Sequence, residues 1–328
     1  MSSKTYGGLT EGISSRLKER EVLQNYSKWR GELRKYMLEE EIRPVWGRGL
    51  EEAEVATFYD NAKDLLYSTD LPPERIPIVA RKIGGNWKHI QEDGIYLSCL
   101  INNCKDSETI TLEIPPSGTF ENQLAQYLSK NIFLHDWCYF GMNTSEGTIK
   151  VINPGGNILH DLGYRMSGGK IILEGNASVN VGQLMTGGEI TVNGNTGHKL
   201  GNQMKGGRIT VNGKADDVSR MKGGHVLVEG DAHSLGRDMS GGEILVKGNL
   251  LVSENAGPQI GAGMTGGKIT IEGKIIDLTD KKRYLGLKGK CNVGLISKDF
   301  KGGEIYLGDT LIAKDGEVYW QDLYRHFS

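Results

Sequence analysis

From Met166 to Gly273 the apolar residues keep fixed distances from a recurring Met-x-Gly-Gly. The start residues are Met166, Met185, Met204, Met221, Met239 and Met264, with a Phe-led copy at Phe300. Five positions on stand Ile171, Ile190, Ile209, Val226, Ile244, Ile269 and Ile305. Seven positions on stand Leu173, Val192, Val211, Val228, Val246, Ile271 and Leu307. Four before most starts sits a further apolar residue: Leu162, Val181, Leu200, Leu235, Ile260 and Ile296. The fifth and seventh positions share one face of a strand, and the fourth and sixth point the other way. Each repeat therefore predicts one short strand followed by a turn.

The starts are separated by 19, 19, 17, 18, 25 and 36 residues. One strand of this length cannot bury its apolar positions alone. Stacked repeats can, because equivalent side chains then lie about 4.8 Å apart, as in a parallel sheet. The outward fourth position reads Lys170, Glu189, Arg208, His225, Glu243, Lys268, Glu304, so stacking sets mostly opposite charges side by side. Residues 146–310 are predicted to form a right-handed parallel β-helix of about seven short coils, with 17–19 residues in a regular coil. The Gly-Gly pair before each strand suits a corner that needs positive φ. Asn176, Asn195, Asp231 and Asn249 follow the closing Gly and suit left-handed turns, which favours corner chemistry over a phosphate or sugar site. No Gly-x-Gly-x-x-Gly stands between a strand and a helix, so a dinucleotide site is not supported. The methionine column reads as adaptable apolar filler rather than a soft-metal path.

The run from Gly187 to Gly201, Gly-Gly-Glu-Ile-Thr-Val-Asn-Gly-Asn-Thr-Gly-His-Lys-Leu-Gly, followed by Met204-Lys-Gly-Gly, resembles the GXGXG β-helix family. That family includes the C-terminal domain of the glutamate synthase large subunit and one of the subunits of formylmethanofuran dehydrogenase. The resemblance covers roughly residues 145 to 310, about half the chain. It implies a largely structural element whose catalytic residues lie on other domains or subunits, so no catalytic residue carries over. This chain departs from a regular array in its short third repeat, its insertions after Gly248 and Gly273, and its N-terminal part.

The N-terminal region, residues 1–145, reads as a smaller α+β unit. Residues 1–12 are polar and Gly-rich and read as a mobile arm. Ile13, Leu17, Val22, Tyr26, Trp29, Leu33 and Tyr36 recur at helical spacing. A second helix is predicted from Glu51 to Tyr67, with Val55, Phe58, Tyr59, Ala62, Leu65 and Leu66 on its apolar face. These stripes serve as core or as a cap on the stack before they serve a partner groove. Ile76 to Ile83 has no assignment from pattern. Gly94 to Leu97 and Thr109 to Ile114 read as strands. Phe120 to Leu128 reads as a short helix, and Glu146 to Val151 as a degenerate first coil without its Met. The basic segment between Ile275 and Lys290 reads as a solvated loop, with an acidic partner as the other reading. Residues 311–328 form an aromatic-rich tail that packs on its own domain or on a second chain.

With 39 basic and 41 acidic residues, the chain carries no electrostatic footprint for nucleic acid. No apolar run approaches the ~20 residues of a membrane span, and Met1-Ser2-Ser3-Lys4 does not open a signal peptide, so a cytoplasmic setting with reduced thiols is expected. The one metal candidate is Cys99 and Cys104 with His135 and Cys138, a Cys3His set that could hold zinc; two buried cysteines beside an unrelated His is the plainer account. Cys138 with His135 as nucleophile and base is weaker still. His198 and His233 lie in turns that face solvent. The outward carboxylates alternate with Lys, Arg and Asn, which reads as a ladder rather than an acid–base site.

These readings converge on a non-catalytic scaffold subunit of a multisubunit complex, glutamate synthase-like or formylmethanofuran dehydrogenase-like, with protein subunits as its partners. The alternative is a β-helix enzyme or binding protein acting on extended carbohydrate. A hexapeptide acyltransferase fails, because six and twelve residues after Val181 stand Gly187 and Asn193. Self-association through open ends is weakened by the flanking helices.

Overall fold

The computed structural model describes residues 4–39, 52–66, 71–83, 90–103, 109–113, 137–153, 159–252, 260–277 and 295–319. The chain is mainly β. Its largest element is an eleven-stranded sheet whose first nine members are parallel neighbours in chain order. They are β1 (Thr109–Glu113), β3 (Thr148–Ile152), β5 (Lys170–Glu174), β6 (Glu189–Val192), β7 (Arg208–Val211), β9 (Lys222–Val228), β11 (Gly241–Val246), β13 (Thr265–Ile271) and β15 (Gly302–Leu307). The register follows the repeat residue by residue. Ile171 pairs with Ile190, Ile190 with Ile209, and Leu173 with Val192. The inward members of each pair are buried.

A second parallel sheet is built from β8 (Ala215–Ser219), β10 (Ala232–Arg237), β12 (Leu250–Val252) and β14 (Ile275–Asp277), again neighbours in chain order. Bridges at Thr196–Ala215, Leu200–Val218, Leu235–Ile260 and Ile260–Ile296 continue the pairing where strands lapse. A two-stranded sheet joins β2 (Trp137–Cys138) to β4 (Leu159–His160). Between the sheets lies a dry interior of Ile, Val and Leu, with all six start methionines at 0% exposure.

The glycines are explained by how closely neighbouring repeats approach. A Cβ on Gly188 would lie 2.7 Å from Met166 Cε, on Gly207 2.6 Å from Met185 Cε, and on Gly303 2.6 Å from Met264 Cε. The tips of Met166, Met185, Met204, Met239 and Met264 thus fill the volume that the second glycine of the next repeat leaves open. These glycines also have positive φ, 84° at Gly188 and 88° at Gly207. The closing glycines pack on one another's backbone: a Cβ on Gly230 would lie 2.6 Å from the Gly213 carbonyl oxygen.

Among the described residues, four helices precede and flank this stack: α1 (Lys4–Glu39), α2 (Glu52–Leu66), α3 (Ile76–Ile83) and α4 (Ile90–Asn102). Their apolar stripes meet each other. Tyr26, Trp29 and Tyr96 form an aromatic cluster with centroids 5.1 Å and 5.3 Å from the Tyr96 ring. Trp29 Nε1 donates to the Phe58 carbonyl at 3.2 Å, and Tyr96 OH donates to that of Val22 at 2.9 Å. Glu19 pairs with Arg75 at 2.6 Å. Helix α4 then docks on the start of the stack, where Ser98 Oγ donates to the Tyr139 carbonyl at 2.5 Å and Asn102 Nδ2 to that of Met142 at 2.7 Å.

Several expectations are corrected. Gly94 to Leu97 is helical, not a strand. Every residue from Gly94 to Ile101 is buried, so the helix is apolar all round and shows no 3.6-residue stripe. Residues 4–12 continue α1 rather than forming an arm; once the downstream helix exists, each added residue gains a hydrogen bond, and Gly7 and Gly8 cost only about 1 kcal/mol each. Ile76 to Ile83 is helix α3. Strand β1 pairs in register with β3, so the sheet reaches back across residue 145. The degenerate first repeat expected at Glu146 to Val151 does form a strand, β3, with buried Thr144 at the methionine position.

The C-terminal end is closed by antiparallel strands β16 (Thr310–Lys314) and β17 (Glu317–Val318), which turn the sheet from parallel to mixed. Thr310–Lys314 and Glu317–Val318 are therefore part of the sheet, whereas the aromatic positions from Trp320 onward, the basic segment from 278 and the helix expected at Phe120 to Leu128 lie outside the described residues.

Gly207 and Gly316 give a matched test, since their φ angles are 88° and 90° but the nearest atom to a Cβ is 2.6 Å away at Gly207 and 3.5 Å at Gly316. Gly316→Ala is expected to cost only the left-handed strain, about 1–2 kcal/mol. Gly207→Ala should cost a further 1–3 kcal/mol, roughly, from overpacking. Urea unfolding of the two variants checks this; equal losses would show that the close contacts at Gly207, to Met185 and to the Gly187–Gly188 backbone, carry no energy.

Candidate functional site

Two kinds of corner connect the sheets. At the first, the residue after each closing glycine bonds to its counterpart one repeat on. Asn176 Oδ1 accepts from the Asn195 amide N–H at 2.8 Å, and Asn195 Oδ1 from that of Lys214 at 2.8 Å. Asp231 Oδ1 accepts from the Asn249 amide at 2.9 Å, and Asn249 Oδ1 from Lys274 at 2.9 Å. This column spends its side-chain oxygens on its own backbone, which leaves it a structural rather than a ligand-binding row.

The outward face of the large sheet is likewise paired with itself. Lys170 meets Glu189 at 3.6 Å, His225 meets Glu243 at 3.1 Å, and Lys247 meets Glu229 at 2.8 Å. Glu304 takes Lys314 at 3.0 Å and the Tyr306 hydroxyl at 2.9 Å, and these bonds hold its carboxyl below the usual range. The expected charge ladder is thus present.

The second corner is different. Here the inward residues are three apart, Ala215 with Val218 and Ala232 with Leu235, and all four are buried. Two consecutive side chains per repeat are left on the outside, Asp216-Asp217 and His233-Ser234. The register Asp217–Ser234, with the Leu200–Val218 bridge, brings His198 and Lys199 beside them. The result is a cleft of about 560 Å³ lined by His198, Lys199, Asp216, Asp217, His233, Ser234 and Arg237. Asp217 Oδ2 accepts from the Lys199 amide at 3.1 Å and from Ser219 Oγ at 2.7 Å, which fixes one wall. Its Oδ1 is shielded from solvent and makes no hydrogen bond among the described residues. His198 and His233, read from the sequence as turn residues facing solvent, both line this cleft. The Asp pair and Arg237 were missed; aligning Ala215-x-x-Val218 on Ala232-x-x-Leu235 would have exposed the polar dyads.

Asp161, Asn180 and Lys199 occupy equivalent positions on the approach to this cleft and all have left-handed backbone, with φ of 54°, 62° and 60°. Asn180 Nδ2 donates to Asp161 Oδ1 at 3.0 Å. Burial pushes the Asp161 carboxyl up to about 6, against the Asn180 bond and the charges of His160 and Lys199, which hold it down. A second left-handed column, Arg165, Leu184, Gln203, Arg220 and Asp238, precedes the methionines and also escaped the sequence reading. Gly263, at the equivalent position before Met264, was its one local signal.

The cysteine set is only partly within view. Cys99 lies in α4, buried, with Sγ 3.9 Å from the Tyr59 carbonyl oxygen. Burial pushes its thiol up to about 12, with Lys63 opposing and Asp60 and Asp64 adding to the rise. In the metal-free fold burial therefore favours the neutral thiol. Cys138 lies in β2, opposite His160. Cys104 and His135 lie outside the described residues. Among the described residues no group of three His, Cys, Asp or Glu side chains is placed to hold a metal ion.

Fold and cleft together define a mainly β protein with a long parallel stack and a polar corner groove. Protein-family models give no match to the chain, and no curated protein matches it. Among the described residues no helix is long and apolar enough to cross a membrane.

Asp161 sets a pH dependence. Its carboxyl has an ordinary value of 3.8 and is raised to about 6 in the fold, so between those values the folded chain holds more protons than the unfolded one. Stability from this group is greatest below pH 4 and falls as pH rises through 6. Asp161→Asn keeps an acceptor for Asn180 and tolerates the left-handed backbone. It is expected to raise stability at pH 7 by roughly 1–2 kcal/mol and to have little effect at pH 4. Denaturation midpoints of both proteins from pH 4 to 7 check this, and parallel curves would refute it.

Proposed function

We propose that the stack winds as a right-handed parallel β-helix of the GXGXG type, and that the chain is a non-catalytic structural subunit of a multisubunit complex. The observation that carries the reading is the unbroken parallel register from β1 to β15, in which each repeat returns to the same sheet one strand further on. Parallel strands joined by crossovers wind right-handed in nearly all proteins, which favours that hand here. A packed interior and outer columns bonded to themselves make a stiff body with fixed spacing, the property a spine for larger subunits needs. The Gly187–Gly201 motif supports a glutamate synthase-like or formylmethanofuran dehydrogenase-like setting, with a cytoplasmic location and protein subunits as partners.

Extended carbohydrate along the large sheet is disfavoured, because that recognition uses stacked aromatic faces. Among the described outward strand positions of the large sheet Tyr306 is the one Phe, Tyr or Trp, and it already lies under Lys268, 4.8 Å from its Nζ.

Tagging the chain at its native locus, and purifying it gently, is expected to return it in a stoichiometric assembly with larger enzyme subunits, while the chain alone shows no turnover. Elution as a lone chain at native abundance, or turnover by the isolated chain on the substrates of such a complex, would overturn the reading.

A further inference from the structure

We infer that the corner cleft walled by His198, Lys199, Asp216, His233, Ser234 and Arg237 binds a small neutral polyhydroxylated ligand, a mono- or disaccharide in size. The argument begins with charge. Lys199 and Arg237 stand against Asp216 and Asp217, so the fixed charges of the lining balance. An anion entering the cleft meets two carboxylates, and a cation meets an ammonium and a guanidinium. A hydroxyl group both donates and accepts, so a ligand bearing several finds a partner at each sign of charge, at Ser234 and at both imidazoles.

Shape and rigidity agree. The volume of about 560 Å³ lies within the range of small-molecule sites, about 300–1,000 Å³. The polar dyads of the cleft stand on strands of one parallel sheet, held in register at Ala232–Ala215 and Leu235–Val218. Asp217 fixes the Lys199 turn through its backbone amide, which makes Asp217 a positioning residue for the cleft. The backbones that carry the dyads are therefore set before a ligand arrives, while the exposed side chains of His198, Lys199 and Arg237 are ordered on binding. With no Phe, Tyr or Trp among the described lining residues, binding is weak, roughly in the millimolar range.

The inference stands apart from the scaffold reading, since a spine with or without such a pocket would assemble alike. The test uses the full chain and ligand-observed saturation-transfer NMR. The probes are glucose, maltose and myo-inositol, with glycine, inorganic phosphate and spermidine as zwitterionic, anionic and cationic counterparts. At least one polyol is expected to bind and to shift the ring signals of His198 and His233 but not that of His225 on the opposite sheet. Arg237→Gln, at an exposed position, and Asp216→Asn should each weaken binding about tenfold, and His225→Gln should leave it unchanged. Circular dichroism establishes that each variant folds. Absence of polyol binding, binding that survives both cleft substitutions, or preference for phosphate, spermidine or glycine would overturn the inference.

Discussion

The rest of the structure depends on backbone meeting backbone where neighbouring repeats stack. At the closing corner a carbonyl of one repeat lies where the next repeat would carry its Cβ, and at Gly230 and Gly248 that gap is under 3 Å. Parallel hydrogen bonding requires that approach, and only glycine permits it without displacing the next strand. The methionine one repeat earlier then reaches into the space the second glycine leaves. Gly-Gly and Met are thus one device seen from two sides, which is why they recur together.

Once the register is set, everything on the outside is set with it. The same side chain faces its counterpart one strand away, so charges alternate into pairs such as Lys170–Glu189, and Asn176 reaches the backbone of Asn195. The cleft is a product of the same rule. Asp217 and Ser234 are 17 residues apart in the chain and directly paired in the sheet. Rigidity and the polar corner therefore have a single cause.

A parallel stack has two ends, and exposed strand edges invite further pairing. At the start, α4 and α3 sit over the first strands, tied by Ser98 and Asn102 to the turn at Tyr139–Met142. At the finish, β16 and β17 reverse direction and replace an open parallel edge with a short hairpin. Neither device follows the repeat, and each was harder to read for that reason. Gly94 to Leu97 was misread because a helix surrounded by protein has no polar face to betray its period. The hairpin hid inside what looked like an aromatic tail.

The sequence by itself determined the one strand per repeat from β5 to β15, the order of those strands and their inward and outward faces; the second sheet, the closing antiparallel strands and the close backbone approach at the glycines came only with the structure. A repeat writes the same local constraint many times over, and its period states which residues become neighbours. Tertiary structure alone decided the left-handed residues at Leu184 and Arg220, the wrapping of α4 and the gathering of His198, Asp216, His233 and Arg237 into one groove. These depend on how tightly the chain must turn between sheets. That curvature is imposed by the stacked neighbours above and below and leaves no fixed mark on residue type.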